Sequence, residues 1–463
     1  MKRFFALLLA ASLLLVGCAA PTDENVLSVA KAAAPDLPEA PSQAEFEKAV
    51  SKLDAKKLSD EKYSEEWDKL WNEYEAKEKA YHEAITALRG EGIDTAYTRS
   101  FADYTRTTAR TLLSGGTETV VYSPANLYLA LCMLAETAEG DSRAQLLSLL
   151  ELESTDDART VSSALWRNLY EDNEDGRTHL GSSLWLSDGV PFVQETVDTL
   201  AQEYYADTFT APMGKASTDK AIQSWLNEAT GGLLKDAAAS VTTDPETVML
   251  LLTTFYFQAR WRTEFYDGNT REDTFTNADG SETRIDFMHI TDENRSCTLG
   301  ENYAVASRYF RDGKRMTFLL PDEGTALDDV LANDGAMSAL LGLAEDNARA
   351  DLIWSVPKFD VTGELDLSMA LRALGVEDVF DAQRANFSPL TGTDVFVSRV
   401  HHAARVKLDE EGCEGAAFTD IALCGAGMPV EQPEVEMRLD RPFAFVISGA
   451  DGLPLFFGAV KNL

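Results

Sequence analysis

Five histidines are the first side chains to consider for catalysis or metal binding in this chain. They are His82, His179, His289, His401 and His402. None belongs to an HExxH helix, and no CxxC, Walker A, GxGxxG or GxSxG motif occurs in the sequence. His401 and His402 are adjacent in strand-like sequence, where neighbouring side chains point to opposite faces and cannot easily share a metal ion. We therefore expect no enzymatic activity, no metal site and no cofactor.

Residues 410–442 show a different pattern, a strand period inside a segment long enough to be a functional loop. Counted in steps of two, one set is uncharged: Cys413, Gly415, Ala417, Thr419, Ile421, Leu423 and Gly425. The set between them carries all the charge of residues 413–425: Glu414, Ala416, Phe418, Asp420, Ala422 and Cys424. This period is typical of a strand with one buried face. We interpret the segment as a loop that can become a central strand.

The elements that would position this loop lie upstream, from about residue 94 onwards. Helix-like and strand-like segments alternate there without a fixed period, and no internal repeat occurs. Residues 248–257 (VMLLLTTFYF) and 316–320 (MTFLL) are continuous apolar runs, which favour buried strands. The pattern predicts one large domain of the α+β class, from residue 94 to residue 463.

The first 18 residues are predicted to be an export signal. Lys2 and Arg3 precede an apolar run at 4–16, which is too short to span a bilayer comfortably. Residues 15–18 (LVGC) resemble the lipobox of bacterial lipoproteins, in which the cysteine is acylated and becomes the new N-terminus. We expect Cys18 to be lipidated and to anchor an exported protein at the bacterial cell surface or envelope. A plain signal peptide with an incidental Cys18 is the alternative.

Two further segments separate this signal from the main domain. Residues 19–42 are rich in Ala, Pro, Asp and Glu and predict a flexible tether. Residues 43–89 are highly charged with an apolar helical stripe, and Ser59-Asp60 could divide them into two helices. We expect a charged helical extension there, and a partner-binding coiled coil is the alternative.

Composition limits the choice of partners. The formal charge is −36, from 41 basic and 77 acidic residues, which argues against nucleic acid or anionic lipid as a binding partner. Membrane contact is therefore expected only through the N-terminal lipid, and the protein is expected to be a monomer. Four cysteines besides Cys18 are too few for a disulfide framework in so long an exported chain.

Several motifs, in order along residues 94–463, resemble those of the serpins, a family of serine protease inhibitors. They are 122–124 (YSP), 225–232 (WLNEATGG), 319–324 (LLPDEG), 356–359 (VPKF), 397–406 (VSRVHHAARV), 409–412 (DEEG) and 440–447 (DRPFAFVI). The resemblance implies the serpin fold, with three β-sheets, about nine helices and an exposed reactive-centre loop at about 410–438.

The resemblance also implies a mechanism, irreversible suicide-substrate inhibition of serine proteases. The protease attacks the loop, an acyl-enzyme forms, and the hinge side of the loop inserts into the central sheet before deacylation. Insertion requires small, uncharged side chains on the inward face, because an unpaired buried charge is costly. Cys413, Gly415, Ala417 and Thr419 meet this demand.

Site roles follow from the motifs. The implied hinge is Glu410, Glu411, Gly412, Cys413, Glu414, Gly415, Ala416, Ala417, Phe418 and Thr419. Glu410 is expected to pair with Lys358, and Trp261 to lie under the end of the sheet where insertion begins, called the breach. Ser123 and His402 are expected in the shutter, a buried polar network where strands part. Asn126 and Thr253 depart from the family pattern there, and we expect the amide to have moved across the same network.

The scissile bond is predicted from family spacing. Sixteen residues beyond Glu410, the cut falls between Ala426 and Gly427. The loop is several residues longer than usual after this point, so other residues could precede the cut: Leu423, Cys424 or Met428. No Lys or Arg occurs in 411–437, which argues against a trypsin-like target. We expect an elastase-like or subtilisin-like serine protease, with cysteine proteases as a further class.

Two alternatives remain open at this point. A serpin that no longer traps proteases could act as a surface binding or adhesion module. Its sign would be a charged or proline-interrupted inward set in the hinge, which is lacking here. A disulfide between Cys413 and Cys424 would join opposite faces of the inserting strand and block insertion.

Overall fold

A computed structural model describes residues 25–463 except 36–37, 57, 91–94, 174, 231, 233–234, 345–346, 398–399 and 414–431. The helices are α1 Gln43–Asp54, α2 Asp60–Arg89, α3 Thr95–Leu113, α4 Pro124–Thr137, α5 Gly140–Leu149, α6 Thr155–Leu169, α7 Gln194–Glu203, α8 Ala216–Ala229, α9 Lys235–Ser240, α10 Leu327–Ala332, α11 Asp334–Leu340 and α12 Ser368–Ala373, with 3-10 turns at Asp267–Asn269 and Asp378–Phe380. The strands are β1 Leu27–Ala30, β2 Val120–Tyr122, β3 Glu171–Asp172, β4 Gly176–Ser187, β5 Ala206–Ala211, β6 Met249–Arg260, β7 Arg271–Thr276, β8 Glu282–Leu299, β9 Tyr303–Tyr309, β10 Arg315–Pro321, β11 Ala348–Pro357, β12 Phe359–Asp366, β13 His401–Leu408, β14 Gly412–Cys413, β15 Glu434–Arg438, β16 Phe443–Ser448 and β17 Pro454–Val460.

The first sheet carries the candidate site. Its strands lie in the order β1-β5-β4-β6-β14-β13-β12, and β3 pairs with β4 at one end. Strand β6 runs antiparallel to β4 from the Gly176–Ala259 pair to the Leu186–Met249 pair. Strand β14 lies between β6 and β13 near the Ala259 end and is antiparallel to both. We call this the hinge end of the sheet and the opposite end the far end.

The remaining strands form one continuous hydrogen-bonded network with two halves. One half is β7-β8-β11-β15 and the other is β8-β9-β10-β16-β17-β2. The long strand β8 pairs with β7 and β11 and, over its last three residues, with β9, so it belongs to both halves. The described strands therefore form two hydrogen-bonded sheets rather than the three implied by the family, because β8 joins the two halves of the second sheet.

The α+β class is confirmed. The described residues contain twelve α-helices rather than about nine. Two of the twelve, α1 and α2, precede the domain, and α9, α10 and α12 are only six residues long. No helix of the described residues is both long enough and apolar enough to cross a membrane.

Helix α4 shows how the sequence places a helix inside the domain. Ser123 caps its first turn by accepting a hydrogen bond from the Asn126 N–H at 3.1 Å, and Pro124 occupies the first helical position. The helix is apolar on nearly all sides, and all but one of its fourteen residues are buried. A helix with no polar face must lie in the interior, and α4 contacts β6 and β17. This burial positions the Ser123–Asn126 turn between the two sheets.

Part of the tether predicted for residues 19–42 is instead a strand, so that prediction is wrong for these residues. Strand β1 pairs antiparallel with β5, with Leu27 opposite Thr210. Val26 is 8% exposed and joins a buried cluster with Trp185, Phe209 and Trp225. Without β1, β5 would be the edge strand and would leave backbone groups unpaired. The LSVA sequence of β1 alternates between apolar and small residues, so strand pairing is favoured over free chain.

The charged extension forms a helical hairpin that contacts the domain through the C-terminal end of α2. Phe46 of α1 packs against Trp71 and Tyr74 of α2. Tyr81 and Ile85 are buried in one cluster with Tyr170, which follows α6. The signal segment 1–18, with Cys18, lies outside the described residues.

Replacing Val26 by Asp tests whether β1 is anchored by burial. An unpaired buried carboxylate costs on the order of 2 kcal/mol, so β1 should detach from β5 while the rest of the domain stays folded. Amide hydrogen exchange of residues 26–33 should accelerate at least tenfold, because a loss of about 2 kcal/mol raises the population of the detached, exchanging state by more than that factor. Leu27→Asp is the matched control, because Leu27 is 63% exposed. Equal exchange in the two variants would contradict the anchoring role of Val26.

Candidate functional site

The start of the implied hinge is already a strand of the first sheet. Gly412 and Cys413 pair with Arg260 and Ala259 of β6, and Cys413 also pairs with Leu408 of β13. A tight turn precedes this strand, closed by the Asp409 N–H donating to the Gly412 carbonyl at 3.0 Å. Cys413 is 3% exposed, so its side chain faces the core. The inward set of the alternating segment therefore begins where the sequence predicts.

Strand β14 is the one link between β6 and β13 within the part of the chain that the structure describes. Their pairs run only through residues 412 and 413, and no described residue of β6 pairs directly with β13. The two strands are therefore spaced to accept a strand between them. A chain that continued β14 would find hydrogen-bond partners on both sides.

Gly412 is required for this close approach. A Cβ built on it would lie 2.1 Å from the Ala259 carbonyl oxygen and 2.9 Å from the Arg260 Cα. These atoms belong to the backbone of β6 and cannot move aside as a side chain would. Any larger residue would separate β14 from β6.

Glu410 is held by two partners at the turn before β14. Lys358 Nζ lies 2.8 Å from Glu410 Oε2, and the Thr270 hydroxyl donates to Glu410 Oε1 at 2.7 Å. Burial alone would raise the pKa of Glu410, but the hydrogen bonds from Lys358 and Thr270 hold it below its ordinary value. The contact is therefore kept above the ordinary carboxylate pKa, and it is lost as the pH falls through the lowered pKa of Glu410.

The pKa of Lys358 is shifted in the direction that matches its pairing with Glu410. Burial disfavours its charge, yet the hydrogen bond and the attraction from Glu410 raise the pKa of Lys358 above its ordinary value. The ion pair thus persists up to alkaline pH and is lost as the pH rises through this raised pKa. Because Lys358 links β11 to β12, the pair ties the hinge to the joint between the two sheets.

Trp261 lies directly beneath the hinge, as expected. Its backbone N–H donates to the Glu411 carbonyl at 2.9 Å, and its indole N–H donates to the Asp409 carbonyl at 3.2 Å. The ring is fully buried and stacks on Phe310 at 4.4 Å. Trp261 therefore supports both sides of the turn that leads into β14.

Arg308 completes this region and was not identified from the sequence. Its guanidinium packs over the ring of Phe265 at 4.1 Å, donates to the Thr263 carbonyl at 2.6 Å and faces Asp292 at 3.5 Å. Burial outweighs the attraction of Asp292 and lowers the pKa of Arg308 to about 10. The strand period of two could have identified it, because Arg308 lies between Ala306 and Phe310 in the set of alternate residues that face the core.

The predicted shutter residues lie together in one buried network. Ser123 donates its hydroxyl to the Leu455 carbonyl at 2.7 Å and its backbone N–H to His402 Nε2 at 3.0 Å. The Asn126 amide donates to the Thr253 carbonyl at 3.2 Å, and the Thr253 hydroxyl donates to the Asn126 carbonyl at 3.4 Å. The side-chain amide of Asn126 thus joins β6 to the α4 turn, while His402 joins β13 to it.

The other predicted site residues lie outside the described residues. They are Glu414, Gly415, Ala416, Ala417, Phe418 and Thr419 of the hinge, and Leu423, Cys424, Ala426, Gly427 and Met428 around the predicted cut. The structure therefore brings together Glu410, Lys358 and Trp261 at the hinge end, and the shutter residues farther along the same sheet.

These features define a domain whose central sheet takes a strand from the start of its own C-terminal loop. The family model for serpins (serine protease inhibitors) matches residues 99–463. The chain belongs to the serpin family. Members of this family are generally protease inhibitors rather than enzymes.

Relatives and solved structures agree with this assignment. The chain is similar to Serpin-ZX of Arabidopsis thaliana, with 24% identity over 74% of this chain and 92% of that protein. It is also similar to neuroserpin of Mus musculus, with 26% identity over 75% of this chain and 87% of that protein. Among solved structures, the thermophilic serpin tengpin in its native state matches with a TM-score of 0.71 and 26% identity, over 81% of this chain and 96% of tengpin.

Replacing Gly412 by Ala tests the fit of β14 against β6. The added methyl group would overlap the β6 backbone, so the hinge should leave the sheet, at a cost of about 1–3 kcal/mol. Hydrogen exchange of the amides at 259–260 and 412–413 should then accelerate. Gly392→Ala is the control, since nothing lies within 4 Å of a Cβ built there. Unchanged exchange in Gly412→Ala would show that the sheet can adapt to a side chain at this position.

Proposed function

We propose that this protein is an irreversible suicide-substrate inhibitor of serine proteases, with an elastase-like or subtilisin-like target. It captures the acyl-enzyme by inserting the cleaved loop between β6 and β13. The observation that supports the proposal is β14, a two-residue strand between β6 and β13 that pairs with both neighbours and that an inserted loop would continue.

The register of β14 specifies which residues an inserted strand would meet. Continued along β6, it places Gly415 opposite Phe257, Ala417 opposite Phe255 and Thr419 opposite Thr253. Ten residues of β6 remain beyond Ala259, enough for a strand that extends to residue 423. The inserted strand would therefore include the hinge residues from Gly412 to Thr419, while Glu410 and Glu411 stay in the turn before it.

The inward face of that strand meets buried apolar side chains on both sides. Phe255 and Phe257 of β6 are 8% and 5% exposed, and Ala404 and Val406 of β13 are 3% and 2% exposed. These four residues stand opposite Ala417 and Gly415 when the register is continued. A charge in this row would lose its hydration without gaining a partner, which agrees with the uncharged inward set.

The outward face meets basic residues instead. In the same register Glu414 falls opposite Lys407, and Ala416 falls opposite Arg405. Neighbouring side chains of opposite charge across two strands attract each other, whereas like charges would repel. The acidic residue in the outward set is therefore compatible with insertion.

The target class follows from the residues near the predicted cut. Leu423, Cys424, Ala426 and Met428 are all small or medium in size and uncharged. A protease with a shallow or apolar specificity pocket accepts such residues, whereas a trypsin-like pocket requires a basic one. A cysteine protease that reads the same loop is a further class of target.

The direct test is incubation of the protein with pancreatic elastase and with subtilisin. A complex that survives denaturing electrophoresis would establish the trap, and the mass of the released C-terminal peptide would locate the cut at Ala426-Gly427 or beside it. Cleavage without a stable complex would refute inhibition, and would instead support a serpin that acts as a surface binding or adhesion module.

Paired substitutions at neighbouring positions test the insertion step. Ala417→Glu places a charge in the inward row and should raise the number of inhibitor molecules consumed per trapped protease about tenfold, because insertion would bury an unpaired carboxylate. Ala416→Glu carries the same charge on the outward face near Arg405 and should stay within about twofold of the wild type. Equal stoichiometry in the two variants would mean that the inward face is not buried during inhibition.

We also propose that the mature protein is lipid-anchored through Cys18 at the bacterial cell surface or envelope. The support is the LVGC sequence at 15–18, preceded by a basic start and a short apolar run. Expressed in a bacterium, the protein should partition into the detergent phase of Triton X-114, and Cys18→Ser should move it to the aqueous phase. An intact mass without acyl groups on the wild-type N-terminus would refute this anchor.

A further inference from the structure

The segment that leaves β6 runs beside the hinge and carries one exposed aromatic side chain, Tyr266. The Trp261 N–H donates to the Glu411 carbonyl, and the Phe265 N–H donates to the Glu410 carbonyl at 3.0 Å. Residues 262–266 are therefore fixed against the start of the reactive-centre loop. Any protein that engages the loop near its hinge would meet this surface.

Two exposed tyrosines lie at this place. Tyr266 is 72% exposed and directly follows Phe265, and Tyr309 is 44% exposed and directly follows Arg308. Phe265 and Arg308 pack against each other in the buried region beneath. Each tyrosine therefore neighbours a member of this buried pair in sequence, and the Arg262 N–H donates to the Tyr309 carbonyl at 2.9 Å, which joins Tyr309 to the segment that carries Tyr266.

Local contacts orient both rings. The ring of Tyr266 lies across Gly268, where a Cβ would come within 2.4 Å of Tyr266 Cε1. The turn that holds it is closed by the Asn269 N–H donating to the Tyr266 carbonyl at 2.7 Å. The guanidinium of Arg262 lies 5.3 Å from the centre of the Tyr309 ring. An exposed aromatic ring that is already oriented loses little conformational entropy when a partner covers it.

The surface around these rings carries charges of both signs, while the chain as a whole is strongly acidic. Burial raises the pKa of Glu411, Asp409, Glu264 and Asp267 add to that increase, and Arg260 opposes it. Arg311 pairs with Glu264 at 3.1 Å, and Arg262 is exposed. Aromatic side chains together with an arginine are typical of binding hot spots, and the formal charge of −36 favours a partner with a basic rim.

We propose that Tyr266, Tyr309 and Arg262 form an auxiliary docking surface that contacts the target protease beside the reactive-centre loop, before the loop is cleaved. The proposal rests on the proposed inhibitory function, because it adds a second contact to the same encounter. Its partner is a protease whose surface next to the active-site cleft is basic. The loop starts at this surface, so a protease bound to the loop would be held near it.

The test measures two quantities separately, the rate of complex formation and the number of inhibitor molecules consumed per trapped protease. In Tyr266→Ala/Tyr309→Ala the second-order rate constant for complex formation with subtilisin or elastase should fall about tenfold. The number of inhibitor molecules consumed per trapped protease should not change, since insertion uses other residues. The control is Leu299→Ala/Met369→Ala, which removes two side chains that are 53% and 75% exposed outside this surface. The control should stay within about twofold of the wild type.

A second variant guards against a folding defect in the first. Asp267→Lys changes only an exposed side chain and should slow capture of a basic-rimmed protease most strongly at low salt, because electrostatic steering is screened at high salt. Stable complexes that form at the wild-type rate in both variants would overturn the docking surface while leaving inhibition intact. Failure of the wild type itself to form any complex would refute the proposed function instead.

Discussion

The structure depends on a strand of two residues. Gly412 and Cys413 join β6 to β13, and no described residue makes a second direct link between these strands. The pairing is possible because Gly412 has no side chain to strike the β6 backbone and because Cys413 is small enough for the core. A sheet held together by so short a strand is open to extension along the same line, which is the property that the proposed inhibition requires.

Two polar networks brace the strands between which the proposed insertion would occur. At the hinge end, Glu410 is tied to Lys358 and Thr270, and Trp261 supports the turn through the carbonyls on either side of it. Farther along, the α4 turn binds β6 through Asn126 and β13 through the Ser123–His402 hydrogen bond. Both networks use backbone carbonyl or N–H groups as partners. The free energy that resists the separation of β6 from β13 therefore depends on the backbone geometry of these strands. This geometry would change if a new strand entered between them.

Sequence reasoning located residues through local patterns and through the resemblance to serpins, and it failed where a position depends on distant packing. The strand period placed Cys413 on an inward face, and the resemblance implied the Glu410–Lys358 contact that the structure contains. Strand β1 was missed because LSVA lies in Pro- and Asp-rich sequence and becomes a strand only beside the edge of β5. Arg308 was missed because its burial is determined by the aromatic rings and the carboxylate around it.

The position of β1 shows which end of the first sheet the N-terminal segment reaches. Leu27 pairs with Thr210 of β5, which pairs with Leu186 of β4. The hinge lies level with Gly176 at the other end of β4, ten residues or about 33 Å away. The chain therefore enters at the far end of the first sheet. In the proposed anchored form, the eight residues from Cys18 to Val26 reach at most about 28 Å. The bilayer would then lie next to the far end of the sheet, and the reactive-centre loop at the hinge end would point away from it. A captured protease would be carried from the hinge end towards the bilayer.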